Sequence, residues 1–357
     1  MEGSHRRTRI EVVGVGGAGG DAVNRMISAW SQGVELVAVD TDLQGLKRCG
    51  AGVEGVGIGP RLTHGLGSGG DWTRGRDAAE ESRPRLAAVV EDADLVFIAA
   101  GLGGGTGTGA SCVLAEVARA AGALTISVVT RPFRFEGRVR NRTADAGIEQ
   151  LREKADALIV IPNDRLSQVV DKKTTLKDAF GIAADTLRLG VRAIADPVAN
   201  PAVIDLDVAG VRAIMTGAGE ALMATCLASG PGRAENAARQ AVASPLLEAS
   251  IDGASGVFVS ITGGDDLTLS ECERVAEIVR AAADPAARVV LGAVRDASMQ
   301  ADMRVTLVAT TLHRRMPPGQ EPPWPSGVPS WPRPRTDGEG AMALPDLDAF
   351  DARPLTS

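Results

Sequence analysis

The chain is expected to adopt an α/β fold in two units, the first built on a mostly parallel sheet with helices on both faces. Three features of the sequence predict it. Short apolar runs alternate with longer amphipathic stretches from Arg9 to about Pro162, glycine-rich segments follow several of those runs, and one long helical pattern then leads into a second α/β stretch. Ile10–Val15, Val34–Val39, Asp94–Ala99, Leu124–Val129 and Ala157–Ile161 are too short for helices and rich in β-branched residues, so they read as buried strands. Between them, Asp21–Ala29, Gly75–Val90, Gly109–Ala121 and Val139–Lys154 carry helical spacing. From Leu176 to Ala195 the apolar residues Leu176, Ala179, Phe180, Ala183, Leu187, Val191 and Ile194 recur three or four apart, which predicts a long central helix. Pro197 and Pro201 are expected to end it. Beyond lie Val208–Met215, Glu220–Ala228, a helix at Ala234–Ala243, a strand at Gly256–Thr262, a helix at Leu269–Ala282 and strands at Arg288–Val294 and Arg304–Thr310. The last strands have no long helix between them, so this second sheet is expected to be mixed.

The expected organisation is therefore a disordered arm at 1–8, a first unit at 9–172, a connecting core helix at 173–200, a second α/β unit at 201–312, a proline-rich linker at 313–343 and a short peptide at 344–357. The linker follows from composition, since ten of the 19 prolines fall in the last 41 residues. Such a segment cannot bury enough apolar area to offset its ordering entropy. The chain has 357 residues, 44% hydrophobic and 23% charged, with 43 Gly. Those values exclude disorder throughout and are consistent with many tight turns. A net charge of −7 argues against a nucleic-acid binder, which needs a basic face. Cys49, Cys112, Cys226 and Cys272 form no C-x-x-C pair and, with His5, His64 and His313, no zinc spacing, so no metal site is expected. A reducing cytoplasm is the expected compartment, with no apolar run long enough to insert in a membrane.

The chemistry is concentrated in the glycine loops. Gly14-Val15-Gly16-Gly17-Ala18-Gly19-Gly20 follows the first strand and opens the first helix, where unpaired N–H groups and a partial positive charge suit a phosphate. It fits G-x-G-x-x-G, and Asp40 at the end of the second strand stands where a dinucleotide-binding fold puts its ribose carboxylate, so an NAD-dependent dehydrogenase is one reading. A second loop, Gly103-Gly104-Gly105-Thr106-Gly107-Thr108-Gly109, joins the Asp94–Ala99 run to the next helix and makes a second anion nest. Two such loops on one sheet suit a triphosphate better than a bridging pyrophosphate. Gly65-Leu66-Gly67-Ser68-Gly69-Gly70 is a third candidate, able to close over a terminal phosphate through Gly69 and Gly70.

Gly-Gly-Gly-Thr-Gly-Thr-Gly at 103–109 resembles the signature of the tubulin/FtsZ superfamily of GTP-dependent filament proteins. The likeness extends through Ile58-Gly59-Pro60-Arg61-Leu62-Thr63, Pro132-Phe133-Arg134-Phe135-Glu136-Gly137-Arg138, Ile161-Pro162-Asn163-Asp164-Arg165-Leu166 and Ser244-Pro245-Leu246-Leu247, over roughly residues 9 to 312. The resemblance implies a Rossmann-like GTPase domain over the first unit and a protein that polymerises head to tail in bacterial cell division or a related cytoskeletal task. GTP or GDP, with Mg²⁺, would be held by Gly16, Gly17, Ala18, Gly19, Gly20 and Asp21 of the first loop and by residues 103–109 of the second. Glu136 and Arg140, four apart on one helical face, would meet ribose and base edges, and Asn163 would join them. Phe180 would stack on the base and Asp185 would accept from the guanine N1–H and 2-amino group.

The sequence departs from the pattern where the family completes its site. Hydrolysis in the family needs a neighbouring subunit's N-x-D-x-x-D loop. Here the matching stretch is Asp205-Leu206-Asp207-Val208-Ala209-Gly210, which keeps the middle acid and has Gly210 in place of the last. Losing a positioned acid costs about 10²–10⁴ in rate, so hydrolysis is expected to be slow unless Asp205 or Asp207 substitutes. A nucleotide-binding filament paralogue that hardly hydrolyses is the alternative. Asp21 stands where the family usually has Asn, and Ala184 replaces an Asn before Asp185. In the tail, Leu347-Asp348-Ala349-Phe350 keeps an aromatic but places charge where the family's docking peptide is apolar, so ordinary binding of a membrane-tethering partner is not expected, while other division or filament proteins are candidate partners of this peptide.

Overall fold

A computed structural model describes residues 8–28, 33–166, 173–199, 202–204, 206–244, 247, 251 and 253–312. Residues 1–7, Asp205, Pro245 and Leu246, and the linker and peptide from 313 onward lie outside the described residues.

The first unit runs β1 (Ile10–Val15), α1 (Gly16–Asn24), β2 (Val34–Asp40), α2 (Leu43–Leu46), β3 (Glu54–Gly57), α3 (Pro60–Thr63), α4 (Trp72–Glu81), α5 (Arg83–Val89), β4 (Leu95–Gly101), α6 (Gly105–Ala120), β5 (Leu124–Arg131), α7 (Arg138–Lys154), β6 (Ala157–Pro162) and α8 (Asn163–Leu166). The long helix α9 (Leu176–Ala199) follows, and then α10 (Val208–Met215), β7 (Gly219–Ser229), α11 (Arg233–Val242), β8 (Ala254–Gly263), α12 (Leu269–Ala282), β9 (Arg288–Arg295) and β10 (Asp302–Leu312). The strands form one ten-stranded sheet in the order β3-β2-β1-β4-β5-β6-β7-β10-β8-β9. The first six strands pair in parallel. In the second part β10 is antiparallel to β7 and β8 while β8 and β9 are parallel, the expected mixed arrangement. A short parallel pairing of Ala157–Ile159 with Gly219–Ala221 joins the two parts.

Strand alternation divides the core. Val13, Val15, Val96 and Ile98 face the cluster under α5, α6 and α7, whereas Ile10, Val12, Leu95 and Phe97 face α1 and α9. Helix α9 turns Ala183, Leu187, Val191 and Ile194 into that second layer, the stripe its spacing predicts. A third cluster lies under α11 and α12.

Five elements differ from expectation. Helices α1 and α6 begin inside their glycine loops, at Gly16 and Gly105. The stretch 75–90 is two helices that meet at Ser82, with Pro84 in the first turn of the second. Strand β3, only four residues with two glycines, shows no apolar run. Pro197 does not stop α9, which continues to Ala199. A proline near a helix end forfeits one late hydrogen bond, and the Pro197 carbonyl is tied down by Leu206 N–H at 3.2 Å while Gly292 of β9 packs against its ring.

Glu11 is wholly buried on β1, in register with Glu35 of β2. Its Oε1 accepts from Arg9 Nε at 3.0 Å, and Oε2 has no partner among the described residues. Burial, and then the charge of Glu35, push the Glu11 carboxyl up to about 7. The folded chain thus holds a proton that the unfolded chain releases, so this group's contribution to stability falls as pH rises from the ordinary carboxylate range through about 7. Glu11→Gln is expected to flatten that loss and to raise Tm above neutral pH, checked by thermal unfolding over a pH series.

Candidate functional site

In the parallel sheet, β1 leads to β2 and β3 on one side while β4 lies on the other. The crevice between β1 and β4 is therefore the topological switch point, where such sheets bind ligands. Both main glycine loops open there. Helix α1 starts behind Val15 and α6 behind Gly104, and neither has a side-chain cap. Their first-turn N–H groups are thus left for an anion. A cavity of about 390 Å³ lies between them, within the range of small-molecule sites. Gly16, Gly17, Ala18, Asp21, Gly104, Gly105, Thr106 and Gly107 form one end of its wall, and Phe180, Ala183, Ala184 and Leu187 form an apolar wall.

The loops hold one another in place. Gly16 has φ +70°, and a Cβ there would lie 2.9 Å from Gly107 N. A Cβ on Gly105 would lie 2.1 Å from Ser68 Oγ. Thr106 Oγ1 is the hub, 2.6 Å from Thr41 Oγ1 and 3.2 Å from Ser68 Oγ, and Gly67 N–H donates to the Thr41 carbonyl at 3.1 Å. The third loop therefore reaches the cavity through Ser68. Gly69 and Gly70 do not line it; with φ of +65° and +81° they shape the turn into the Asp71 cap of α4.

Other residues expected at the nucleotide also hold the fold together. A Cβ on Gly19 would strike the Ala99 carbonyl at 2.2 Å, and one on Gly109 the Trp72 carbonyl at 2.1 Å. These glycines let helices lie close to their neighbours. The Thr108 hydroxyl accepts from Gly103 N–H at 2.9 Å and shapes the second loop. Gly20 lines a smaller recess next to the cavity, about 30 Å³, with Asp21, Asn24, Asp40, Arg48 and Cys49.

Glu136 and Arg140 line the cavity and pair with each other, but not on one helix. Glu136 ends a 3₁₀ turn and Gly137, at φ +100°, separates it from α7. Glu136 Oε1 also accepts from Phe133 N–H at 2.8 Å. Asn163 is buried in the cavity wall with no partner for Oδ1 among the described residues. Phe180 stands edge-on to Phe133, with ring centroids 5.7 Å apart. Asp185 is not in the wall. Its carboxylate faces Arg25 at 3.4 Å and Arg188 at 3.5 Å. Sequence reading missed Ser68, Thr130, Pro132 and Leu187, all in the wall. Ser68 carried a signal, being the one hydroxyl in the third glycine run.

Asp40 does not offer a ribose carboxylate. It is 8% exposed, and its Oδ1 accepts from Thr41 N–H at 2.7 Å and Asp42 N–H at 3.2 Å. Burial pushes its carboxyl above the usual range.

Asp207 lies far from this cavity. It caps α10, with Oδ1 accepting from Gly210 N–H at 2.7 Å. Arg212 of α10 donates to the carbonyls of Asp94, just before β4, and of Gly122, two residues before β5. Helix α10 thus sits at the amino ends of the strands and the cavity at their carboxyl ends, about 20 Å apart for strands of this length. Among the described residues no three His, Cys, Asp or Glu side chains converge on a metal position, and no helix is long and apolar enough to cross a membrane.

Residues 9–171 match the Tubulin/FtsZ family, GTPase domain, and residues 219–313 the FtsZ family, C-terminal domain. Among solved structures, the chain is similar to an empty FtsZ dimer from M. jannaschii, with 39% identity, a TM-score of 0.84, and 88% of this chain and 91% of that one covered. A point mutant of the same FtsZ matches at 40% identity and TM-score 0.83, over 87% and 93% of the two chains. CetZ2 from Haloferax volcanii, in a GTPγS-bound protofilament, shares the fold at 22% identity and TM-score 0.71, over 86% and 94%. With that identity across nearly the full length of its relatives, the chain belongs to the tubulin/FtsZ family.

Proposed function

We propose that the chain is a cytoplasmic GTP-binding cytoskeletal protein that assembles head to tail into filaments, acts in cell division or a related task, and hydrolyses GTP slowly. The observation that carries this reading is one cavity with two uncapped glycine-rich helix starts at one end and an apolar wall at the other. Phosphates suit the first and a base suits the second. The unpartnered Asn163 Oδ1 offers an acceptor to a ribose hydroxyl or a base amine. For the base to be read as guanine, Asp185 would turn from Arg25 toward the N1–H and 2-amino edge, an acceptor pair that adenine cannot satisfy. Mg²⁺ would enter on the phosphate oxygens with its own waters, as this cation commonly does, since the carboxylates of the described residues build no cage for it.

Assembly follows from the separation of the two halves. The cavity opens at one end of the sheet and the Asp207 loop projects from the other, so translation of one copy along the strands brings the second copy's loop to the first copy's cavity. Such a heterologous contact does not close, and open polymers result. Exposed apolar side chains flank the cavity as an interface would need: Leu43 and Leu66 on one side, Phe135 and Val139 on the other. Light scattering on adding GTP tests this. Concentration-dependent assembly with GTP and not with ATP or NAD is expected; no assembly with any nucleotide contradicts it.

The second reading, a filament protein that scarcely turns over GTP, is favoured by the acid loop. Gly210 carries no acid, and one oxygen of Asp207 is committed to capping α10.

A further inference from the structure

Beside the cavity lies a second groove of about 480 Å³, with an apolar wall of Phe133, Phe135, Leu166, Leu176, Ala179 and Ile182. Phe135 is 64% and Leu176 59% exposed, so two large apolar side chains face water there. Phe180, in the cavity wall, stands edge-on to both Phe133 and Phe135, so groove and cavity share one end of the sheet. The rim of the groove is basic. Arg134, its side chain 90% exposed, is part of the lining. Arg138, just beyond Phe135, and Lys177, next to Leu176, are exposed and have no ion pair among the described residues. The acids nearby are engaged: Asp164 pairs with Arg134 at 3.2 Å, and Asp178 accepts from Thr175 Oγ1 at 2.6 Å.

We propose that residues 344–353 of this chain dock in this groove and compete there with the next copy of the chain. Charge and apolar spacing select that segment. Leu344, Leu347 and Phe350 stand three apart, with Asp346, Asp348 and Asp351 among them and Arg353 as the one cation. The peptide thus offers apolar side chains to the wall and acid to the rim. The other aromatics beyond Leu312, Trp324 and Trp331, sit among prolines with Arg333 and Arg335 and would bring like charge. The intervening length also fits. Strand β10 ends beside the start of β7, which pairs with Ala157 at the amino end of β6, whereas the groove lies past the carboxyl end of β6, about 20 Å away for a strand of this length. Residues 313–343 would span about 30 Å as a flexible coil and more where proline stiffens them.

The competition rests on the head-to-tail reading, in which a second copy covers the flank of the cavity that carries Phe135; the dock itself does not. Ordering the peptide costs free energy, so the contact is weak and reversible. The tether offsets that cost, because a flexible linker holds its peptide at an effective concentration on the order of 1 mM. A dock with a Kd of about 0.2 mM is then about five-sixths filled and leaves about one chain in six open to assembly.

The test places photoreactive benzoylphenylalanine at Phe350 of the full chain, in dilute solution without nucleotide. Irradiation is expected to give cross-links within one chain to residues 133–135 and 174–182, located by mass spectrometry, and fewer of them as salt rises. Adding Leu347→Asp to the same chain should abolish them. Cross-links spread over other faces, or formed only between two chains, overturn the proposal. In light scattering with GTP, Leu347→Asp alone should lower the protein concentration at which assembly begins by about sixfold, and an onset equal to that of the parent chain also overturns it. If neither chain assembles with GTP, the filament reading fails and the cross-links alone decide the dock.

Discussion

Gly109→Ala is expected to destabilise the folded chain by about 3 kcal/mol, the upper range for overpacking, and to weaken nucleotide binding with it. A Cβ at this position would lie 2.1 Å from the Trp72 carbonyl, 2.4 Å from Arg76 N and 2.9 Å from Gly75 C. All three are backbone atoms of α4, so no side chain can rotate away, and α4 and α6 must separate. That separation disturbs the third loop, which ends at the Asp71 cap of α4, and with it the contact of Ser68 with Thr106. Gly104→Ala is the control. A Cβ there meets nothing within 4 Å, so urea unfolding should shift by well under about 1 kcal/mol, while the added methyl stands in the cavity wall and weakens binding alone. Equal unfolding midpoints for Gly109→Ala and the parent chain would mean the two helices are not packed as described.

Gly210→Asp is expected to raise GTP turnover at least about tenfold, because it returns an acid to the loop that would cover the next subunit's phosphates. The structure adds a cost. The new Cβ would lie 2.9 Å from Asp207 Oδ1, the atom that caps α10, so the cap must shift and stability should fall by about 0.5–1 kcal/mol. Phosphate release and thermal unfolding on the same preparation separate the two effects. An unchanged rate would place the limit elsewhere than the missing acid.

Much of this was readable from residues alone. Apolar runs such as Ile10–Val15 and Leu124–Val129 are strands because they are short, β-branched and buried on both faces, and the stripe on α9 shows at Ala183, Leu187 and Val191. Glycine was harder to read. Its low helix propensity placed the starts of α1 and α6 after the loops, but close approach to strands and to α4 overrides propensity at Gly19, Gly105 and Gly109. The same ambiguity places Gly69 and Gly70 at the cavity, whose wall holds the side chain between glycines, Ser68. Strand β3 was hidden because Glu54-Gly55-Val56-Gly57 offers one buried apolar residue. The pattern alone places Asp185 at the base, whereas the folded chain turns it to Arg25 and Arg188, which are far from it in sequence or hidden by helical spacing.

In the proposed assembly a second copy of the chain covers a triphosphate held at the switch point of the sheet. GTP turnover per subunit, measured against protein concentration, tests it most directly. Almost no turnover in dilute solution and a steep rise once copies meet are expected. The same rate per subunit at every concentration would show that each chain completes its own site, and would contradict it.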